Sequence, residues 1–239
     1  MGATAVLFLL VGSRHDAQAQ TGSQNAAFIR ASHPSHFSRG HVSIPPETMT
    51  GRVKALNGFA WKYGYDIQVK DHRLFVRVAI NFIPARGLTR PELERVKPLW
   101  KETIERIWSN KFALVTHSGR CYPMVIDISF KGPKFNHEVI IHPGRGRSDQ
   151  LNWKILNSPE IAAHEFGHML GAFDEYRRGA VSPRCGIIDK TSIMTNRPTE
   201  GRTYARHYKG FLEWFSERTG LKDMALVSMD GLKRQYAEF

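Results

Sequence analysis

Alternating apolar and polar residues mark the strands of this chain. From Arg73 to Ile83 every second side chain is apolar, which is typical of a strand that is buried on one face. A polar turn separates this segment from another predicted strand, Tyr65 to Val69. Met124 to Phe130 and Glu138 to Ile141 are predicted as two more strands. The last is almost wholly apolar, which indicates a central or covered position in a sheet.

Apolar residues spaced by three and four positions predict a long helix after residue 88. Thr89 is suited to cap it and Pro91 to its first turn, and Pro98 inside it should kink or split the helix. The apolar stripe of this helix consists of Leu93, Val96, Trp100, Ile104 and Ile107.

Two further helices are predicted in the second half of the chain. One begins at Ser158, with Pro159 at its first helical position. The other runs from Thr203 to Gly220, where glycine suits the helix end. Its core-facing residues are Tyr204, Tyr208, Phe211, Leu212 and Phe215.

The N-terminal region has the composition of an exported protein's leader. Residues 5–11 are apolar and Ala17-Gln18-Ala19 is typical of a signal-peptidase site, although no Lys or Arg precedes the apolar run. We therefore expect a signal peptide over 1–19, a flexible or pro-segment over 20–56, and a folded domain over 57–239. No apolar run in the sequence approaches the length of a membrane span. The expected location is secreted or periplasmic.

Charge and cysteine content add two expectations. The net charge of +12 favours anionic partners, but the basic residues are scattered and no nucleic-acid-binding motif is present. One interpretation of this charge is contact with an anionic cell envelope. The simplest interpretation is a monomer with a basic surface. Cys121 and Cys185 are the only cysteines, and in an exported protein they are expected to form one disulfide.

One segment on the second predicted helix carries candidate chemistry. His164 and His168 lie one helical turn apart on the same face, close enough to bind one zinc ion, with Glu165 beside it to take a proton from water. Gly171 lets the chain leave the helix in a left-handed turn, which brings Asp174 back as a third ligand. Three protein ligands leave a position for water, as in catalytic zinc sites. The alternative to a metal site is an ordinary amphipathic helix whose histidines are hydrogen-bonded or solvated.

The third ligand has rivals, and other polar residues have simpler interpretations. Glu175 directly follows Asp174, and Asp189 or Glu200 would suit zinc sites whose third ligand comes from a later segment. Asp174 is favoured because Gly171 stands at the offset that the turn requires. We expect His142 and His207 to be ordinary polar residues.

Residues 164–174 read HExxHxxGxxD, and Ser192-Ile193-Met194-Thr195 is similar to a methionine turn. Together they resemble the metzincin clan of zinc endopeptidases, in the aspartate-ligand variant seen in snapalysin. The resemblance implies an α+β catalytic domain, with a mixed twisted sheet packed on two long helices, an active-site helix and a Met turn. Met194 would form a hydrophobic floor beneath the metal. Some metzincins have a tyrosine two residues after this methionine.

That position is Asn196 here, so help to the oxyanion would have to come from Tyr176, Tyr204 or another group. The implied activity is zinc-dependent peptide hydrolysis with Glu165 as general base, acting on protein or peptide substrates. Strand Glu138 to Ile141 would be either an edge strand that pairs with substrate or a plain core strand. Two other function classes remain: a non-catalytic zincin-fold binding protein, and a basic polyanion-binding module with structural zinc.

Overall fold

The computed structural model describes residues 42–237, and this part of the chain is α+β. Eight strands form one mixed sheet, and four α-helices accompany it. The strands are β1 (Ile44–Lys54), β2 (Ala60–Lys70), β3 (Arg73–Pro84), β4 (Phe112–Thr116), β5 (Cys121–Ser129), β6 (His137–His142), β7 (Asn152–Lys154) and β8 (Met224–Ser228). The helices are α1 (Arg90–Trp108), α2 (Pro159–Met169), α3 (Lys209–Thr219) and α4 (Met229–Ala237).

β3 is the strand from which the sheet branches. The main strand order is β1-β2-β3-β5-β4-β8, with β5 running parallel to the first half of β3 and β2 antiparallel on its other side. β6 pairs in parallel with the second half of β3, and β7 pairs in parallel with β6. His137 Nε2 lies 2.9 Å from the carbonyl oxygen of Gly64, so β6 is also held against β2.

α1 is a single helix whose ends follow local rules. Thr89 and Glu92 form a capping box, in which each side chain accepts a hydrogen bond from the other residue's backbone N–H. Pro98 does not split the helix, contrary to one of our two expectations. Pro98 and Glu94 are both exposed, so water can satisfy the Glu94 carbonyl that the proline leaves without an N–H donor.

α1 also anchors the helix that carries the candidate site. Leu93, Trp100 and Ile104 are buried against the sheet. At the end of α1, the indole Nε1 of Trp108 donates a 2.9 Å hydrogen bond to the carbonyl oxygen of Ala163 in α2. Because this bond is buried and Trp108 has no solvent exposure, the two helices are held at a fixed separation.

Residues 44–54, the last part of the segment over 20–56 that we expected to be flexible or a pro-segment, form β1, so this part is not flexible. This strand pairs antiparallel with β2 along almost its whole length, from Ile44 opposite Val69 to Lys54 opposite Ala60. Local sequence gave little sign of it, since its side chains are at most half-buried and Pro45 and Pro46 lie near its start. Residues 1–41, with the expected signal peptide, lie outside the described part.

Two more predictions need correction. The closing helix begins later than predicted: Ala205–Tyr208 form a 3-10 turn, and α3 then runs from Lys209 to a left-handed Gly220 with φ 71°. The expected disulfide is not formed in the structure, where Cys121 and Cys185 are both free thiols. Cys121 starts β5 and packs beside β4, whereas Cys185 is exposed on a loop, and their separation in sequence carried no information on distance.

No helix within residues 42–237 has the combination of length and apolar character needed to cross a membrane.

Candidate metal centre and its cleft

α2 places three functional side chains on one face. Ser158 is its N-cap as predicted, although the Ser158 side chain makes no capping hydrogen bond and the N–H of Ile161 bonds to its carbonyl oxygen instead. His164, Glu165 and His168 follow along the helix, and each is less than a tenth exposed. The helix therefore delivers two imidazoles and one carboxylate to the same buried region.

The end of α2 redirects the chain toward those imidazoles. Gly171 has φ 93°, a left-handed conformation that favours glycine. The N–H of Gly171 donates to the His168 carbonyl and the N–H of Ala172 to the Gly167 carbonyl, both at 3.0 Å, which is the Schellman pattern. The predicted left-handed turn is therefore confirmed, and Asp174 comes back beside the helix.

Three candidate ligand atoms converge on one point. The Oδ1 atom of Asp174 lies 3.2 Å from Nε2 of His164 and 3.4 Å from Nε2 of His168. The ligand atoms of all three residues lie within 4.8 Å of one another. Donors bound at about 2.0–2.2 Å to one tetrahedral metal ion lie about 3.3–3.6 Å apart, so the two carboxylate–imidazole distances are compatible with a shared ion.

Backbone contacts fix the tautomers of both imidazoles. Nδ1 of His164 lies 3.0 Å from the carbonyl oxygen of Ile193, and Nδ1 of His168 lies 2.8 Å from that of Ala172. A carbonyl oxygen only accepts, so each Nδ1 carries the proton and donates it. In the neutral rings each Nε2 then presents a lone pair to the point of convergence, as metal-ligating histidines do.

The electrostatics of this cluster fit a bound cation. Asp174 Oδ1 is buried and has no hydrogen-bond donor, and it faces two imidazole lone pairs. The ionised carboxylate and two lone pairs would repel one another without a positive charge between them. The residues present therefore fit a divalent metal ion.

The loop after α2 holds the other oxygen of Asp174. The N–H of Ala180 donates a 2.6 Å hydrogen bond to Asp174 Oδ2. Gly179 comes so close that a Cβ there would lie 2.6 Å from the Asp174 Cβ. Only glycine fits at this position without a shift, and the loop leaves Oδ1 alone to face the imidazoles.

Glu165 points into the cleft beside the three ligands. It is 5% exposed and lines the cleft together with His164 and His168. Burial raises the pKa of Glu165 to about 7, with the negative charge of Asp174 acting in the same direction. A carboxylate of this kind can both accept and return a proton near neutral pH.

None of the rival third ligands joins the cluster of His164, His168 and Asp174. Glu175 is buried and bound by Arg206, whose Nε and Nη2 each donate a 2.6 Å hydrogen bond to one of its carboxylate oxygens. Burial would raise the pKa of Glu175, but the hydrogen bonds from Arg206 and His207 lower it to about 2. Asp189 also binds Arg206, and Glu200 is exposed. His207 thus has the ordinary polar role that we expected.

Met194 lies directly against α2. It has no solvent exposure, and its Sδ atom lies so close to Gly167 that a Cβ there would clash with it. The turn around it is closed by a 3.2 Å hydrogen bond from the Thr195 N–H to the Ser192 carbonyl. Ile193, in the same turn, supplies the carbonyl that orients His164. The two motifs on which the resemblance rests, residues 164–174 and the turn over 192–195, therefore lie against each other at the candidate site.

The site opens into a cleft of about 560 Å³ whose walls come from three segments. The first is the β1–β2 hairpin, which contributes Phe59 and Trp61. The indole Nε1 of Trp61 donates a 2.9 Å hydrogen bond to the His168 carbonyl, and the side-chain amide of Asn57 donates to the Gly179 carbonyl. Sequence reasoning missed this wall, because nothing in the local pattern links residues 57–61 to a helix more than 100 residues away.

The loop between β6 and β7, residues 143–151, and the loop after α2 form the other walls. β6 is not a free edge over Ile140–His142, because β7 pairs with it there, and substrate pairing along that stretch is excluded. His142 Nε2 lies 3.0 Å from Asn152 Oδ1, an ordinary polar contact. Tyr176 and Asn196 line the cleft; Tyr204 is not among its lining residues.

Tyr176 has the protonation state that an oxyanion donor needs. Burial and the negative charge of Asp174 raise the pKa of Tyr176 to about 12, so its phenol keeps its proton at neutral pH. The Tyr204 hydroxyl lies 2.5 Å from Thr191 Oγ1 and is already engaged.

Comparison with known proteins found no family model, no curated protein and no solved structure that matches this chain.

Proposed function

We propose that this protein is a zinc-dependent endopeptidase of the metzincin clan. The observation that carries the proposal is the convergence of His164 Nε2, His168 Nε2 and the unpartnered Asp174 Oδ1 beside the carboxylate of Glu165. The position of Met194 against α2 supports the clan assignment. Zinc in such a site, when bound, lowers the pKa of a water molecule to about 7 and polarises a carbonyl group.

The chain's own residues supply the remaining steps of peptide hydrolysis. Glu165 accepts the proton of the attacking water and then delivers it to the leaving amine, the two transfers expected of a general base and acid. The phenol of Tyr176 donates a hydrogen bond to the oxyanion that develops on the carbonyl oxygen. This role falls to Tyr176 because it lines the cleft beside Glu165, whereas Tyr204 does not.

The shape of the cleft favours an extended peptide as substrate. The cleft is open, and it is lined by residues of the β1–β2 hairpin, the β6–β7 loop and the loop after α2. Phe59 and Leu151 line it while 60% and 54% exposed, so two large apolar side chains are available to contact substrate. The intact Glu165 favours hydrolysis over a purely structural metal site.

Substitution of the proposed general base tests the function most simply. We expect Glu165→Gln to retain zinc and fold while kcat/KM on quenched fluorescent peptides falls by about two to four powers of ten. The matched control is Glu160→Gln. It removes an equal charge from the first turn of the same helix, where Glu160 pairs with Arg106. Unchanged hydrolysis by Glu165→Gln would contradict the mechanism.

A further inference from the structure

Two arginines line the cleft without a carboxylate partner. Arg147 lies on the β6–β7 loop and Arg178 on the loop after α2, and both are exposed. Within residues 42–237 no carboxylate lies at ion-pairing distance from either guanidinium, whereas Arg77 and Arg206 are paired. Asp149 is the nearest acidic residue of the loop in sequence, and its carboxylate accepts hydrogen bonds from backbone N–H groups of its own loop.

Arg147 is held between two anchored neighbours. The amide of Asn157 bonds both backbone groups of Gly146: its Oδ1 accepts from the N–H at 3.1 Å and its Nδ2 donates to the carbonyl at 2.8 Å. The same Nδ2 donates to Ser148 Oγ at 3.0 Å. Asn157 lies next to Ser158, the N-cap of α2, so the backbone that carries Arg147 is tied to the start of the helix of the candidate site.

Arg178 is held by the turn that wraps Asp174. Its φ of 68° is left-handed, a conformation that non-glycine residues adopt rarely and at some energetic cost. The N–H of Gly179 donates to the Tyr176 carbonyl at 3.1 Å, and Ala180 is bonded to Asp174, so the turn is fixed on both sides of Arg178. The backbone of Arg178 is therefore strained but fixed by hydrogen bonds on both sides.

We propose that the cleft selects acidic peptides, whose carboxylate side chains near the scissile bond are bound by Arg147 and Arg178. This inference rests on the endopeptidase function proposed above. Guanidinium groups bind carboxylates through paired hydrogen bonds, and a backbone fixed in advance loses less freedom when the contact forms. Phe59 and Leu151 line the same cleft and are exposed, so they are available to contact an apolar side chain of the same peptide.

The overall charge of +12 would attract acidic peptides without any specific contact, so a remote control is needed. Arg73 is exposed and begins β3, opposite Lys70 at the far end of β2. Trp61, in the cleft, lies nine residues from Lys70, which places Arg73 about 30 Å from the cleft at about 3.3 Å per strand residue. Arg73→Gln removes the same charge as a cleft variant but leaves the cleft unchanged.

The test compares three quenched peptides that are identical except for Glu, Gln or Lys on both sides of a central Phe. We expect wild-type kcat/KM to be about tenfold higher for the Glu peptide than for the Gln peptide, with the Lys peptide poorest. Arg147→Gln and Arg178→Gln should each reduce this preference about threefold, and Arg73→Gln should keep it. Arg147→Glu should shift the preference toward the Lys peptide, which loss of structure alone would not do.

Two results would overturn the selectivity while leaving the endopeptidase function intact. One is equal cleavage of all three peptides by the active wild type, and the other is an equal loss of preference in Arg73→Gln and Arg147→Gln. Fluorescence anisotropy with the Glu165→Gln protein provides a readout without hydrolysis. Tighter binding of the labelled Glu peptide that is reduced by Arg147→Gln but kept by Arg73→Gln, each combined with Glu165→Gln, supports the inference even if no peptide is cleaved. Equal binding of the Glu and Gln peptides overturns it.

Discussion

The buried ion pair behind the candidate site is predicted to be a main determinant of stability. Arg206 binds both carboxylate oxygens of Glu175, which is 5% exposed, and also contacts Asp189 at 2.7 Å. The pKa of Glu175 near 2, instead of its ordinary 4.5, corresponds to about 3 kcal/mol of net interaction, which Arg206 shares with His207 and Ser192 as the largest single contributor. Arg206→Gln leaves this carboxylate buried without its cation, so we expect a loss of about 3 kcal/mol of unfolding free energy at pH 7.

Urea unfolding in the presence of a chelator measures this loss without the added stability that bound metal would give. Arg77→Gln is the matched control, because Arg77 pairs with Asp127 at 2.9 Å on the surface and such pairs contribute about 0–1 kcal/mol. The double variant Glu175→Gln/Arg206→Gln should recover much of the loss, since a neutral side chain at 175 needs no cation. If Arg206→Gln loses no more than Arg77→Gln, this account of the pair is wrong.

Three further predictions follow from single contacts. Gly167→Ala places a methyl group against Met194, so we expect a loss of about 1–3 kcal/mol in urea unfolding, and Met194→Ala in the same chain should restore part of it. Gly171→Ala forces a Cβ into the left-handed turn, so it should destabilise the fold by about 1 kcal/mol. It should also weaken zinc binding in a chelator competition. A zinc affinity equal to that of the wild type would show that the variant does not strain the turn. Alkylation without reductant should label both thiols, as measured by intact mass. Cys185 should react faster than Cys121, because burial raises the pKa of Cys121. An intact mass without any label would show that the two cysteines form a disulfide.

Elements with local signals were predicted well from the sequence. The capping box at Thr89 and the apolar stripe of α1 depend on residues three and four positions apart, so they can be identified without knowledge of the fold. The same holds for α2, for the Schellman turn at Gly171, and hence for the approach of Asp174 to His164 and His168.

Features that depend on distant partners were missed. β1 has only half-buried side chains and acquires its strand structure by pairing with β2, so its sequence looked like a linker. Trp61 and Asn157 shape the cleft because their side chains form hydrogen bonds with the backbone of other segments. The spacing of residues in the sequence does not indicate these partners. The cysteine pairing failed for the same reason, because a count of thiols does not give the distance between Cys121 and Cys185.

Zinc-dependent recovery of cleavage tests the central claim most directly. The chelated full-length protein is titrated with zinc while hydrolysis of a quenched peptide is followed, with Asp174→Asn as the ligand variant. We predict that wild-type activity rises linearly and levels off at about one zinc per chain, as three protein ligands around one ion require. Asp174→Asn should need far more zinc to recover. Cleavage that persists without metal, or that is indifferent to added zinc, would contradict the account.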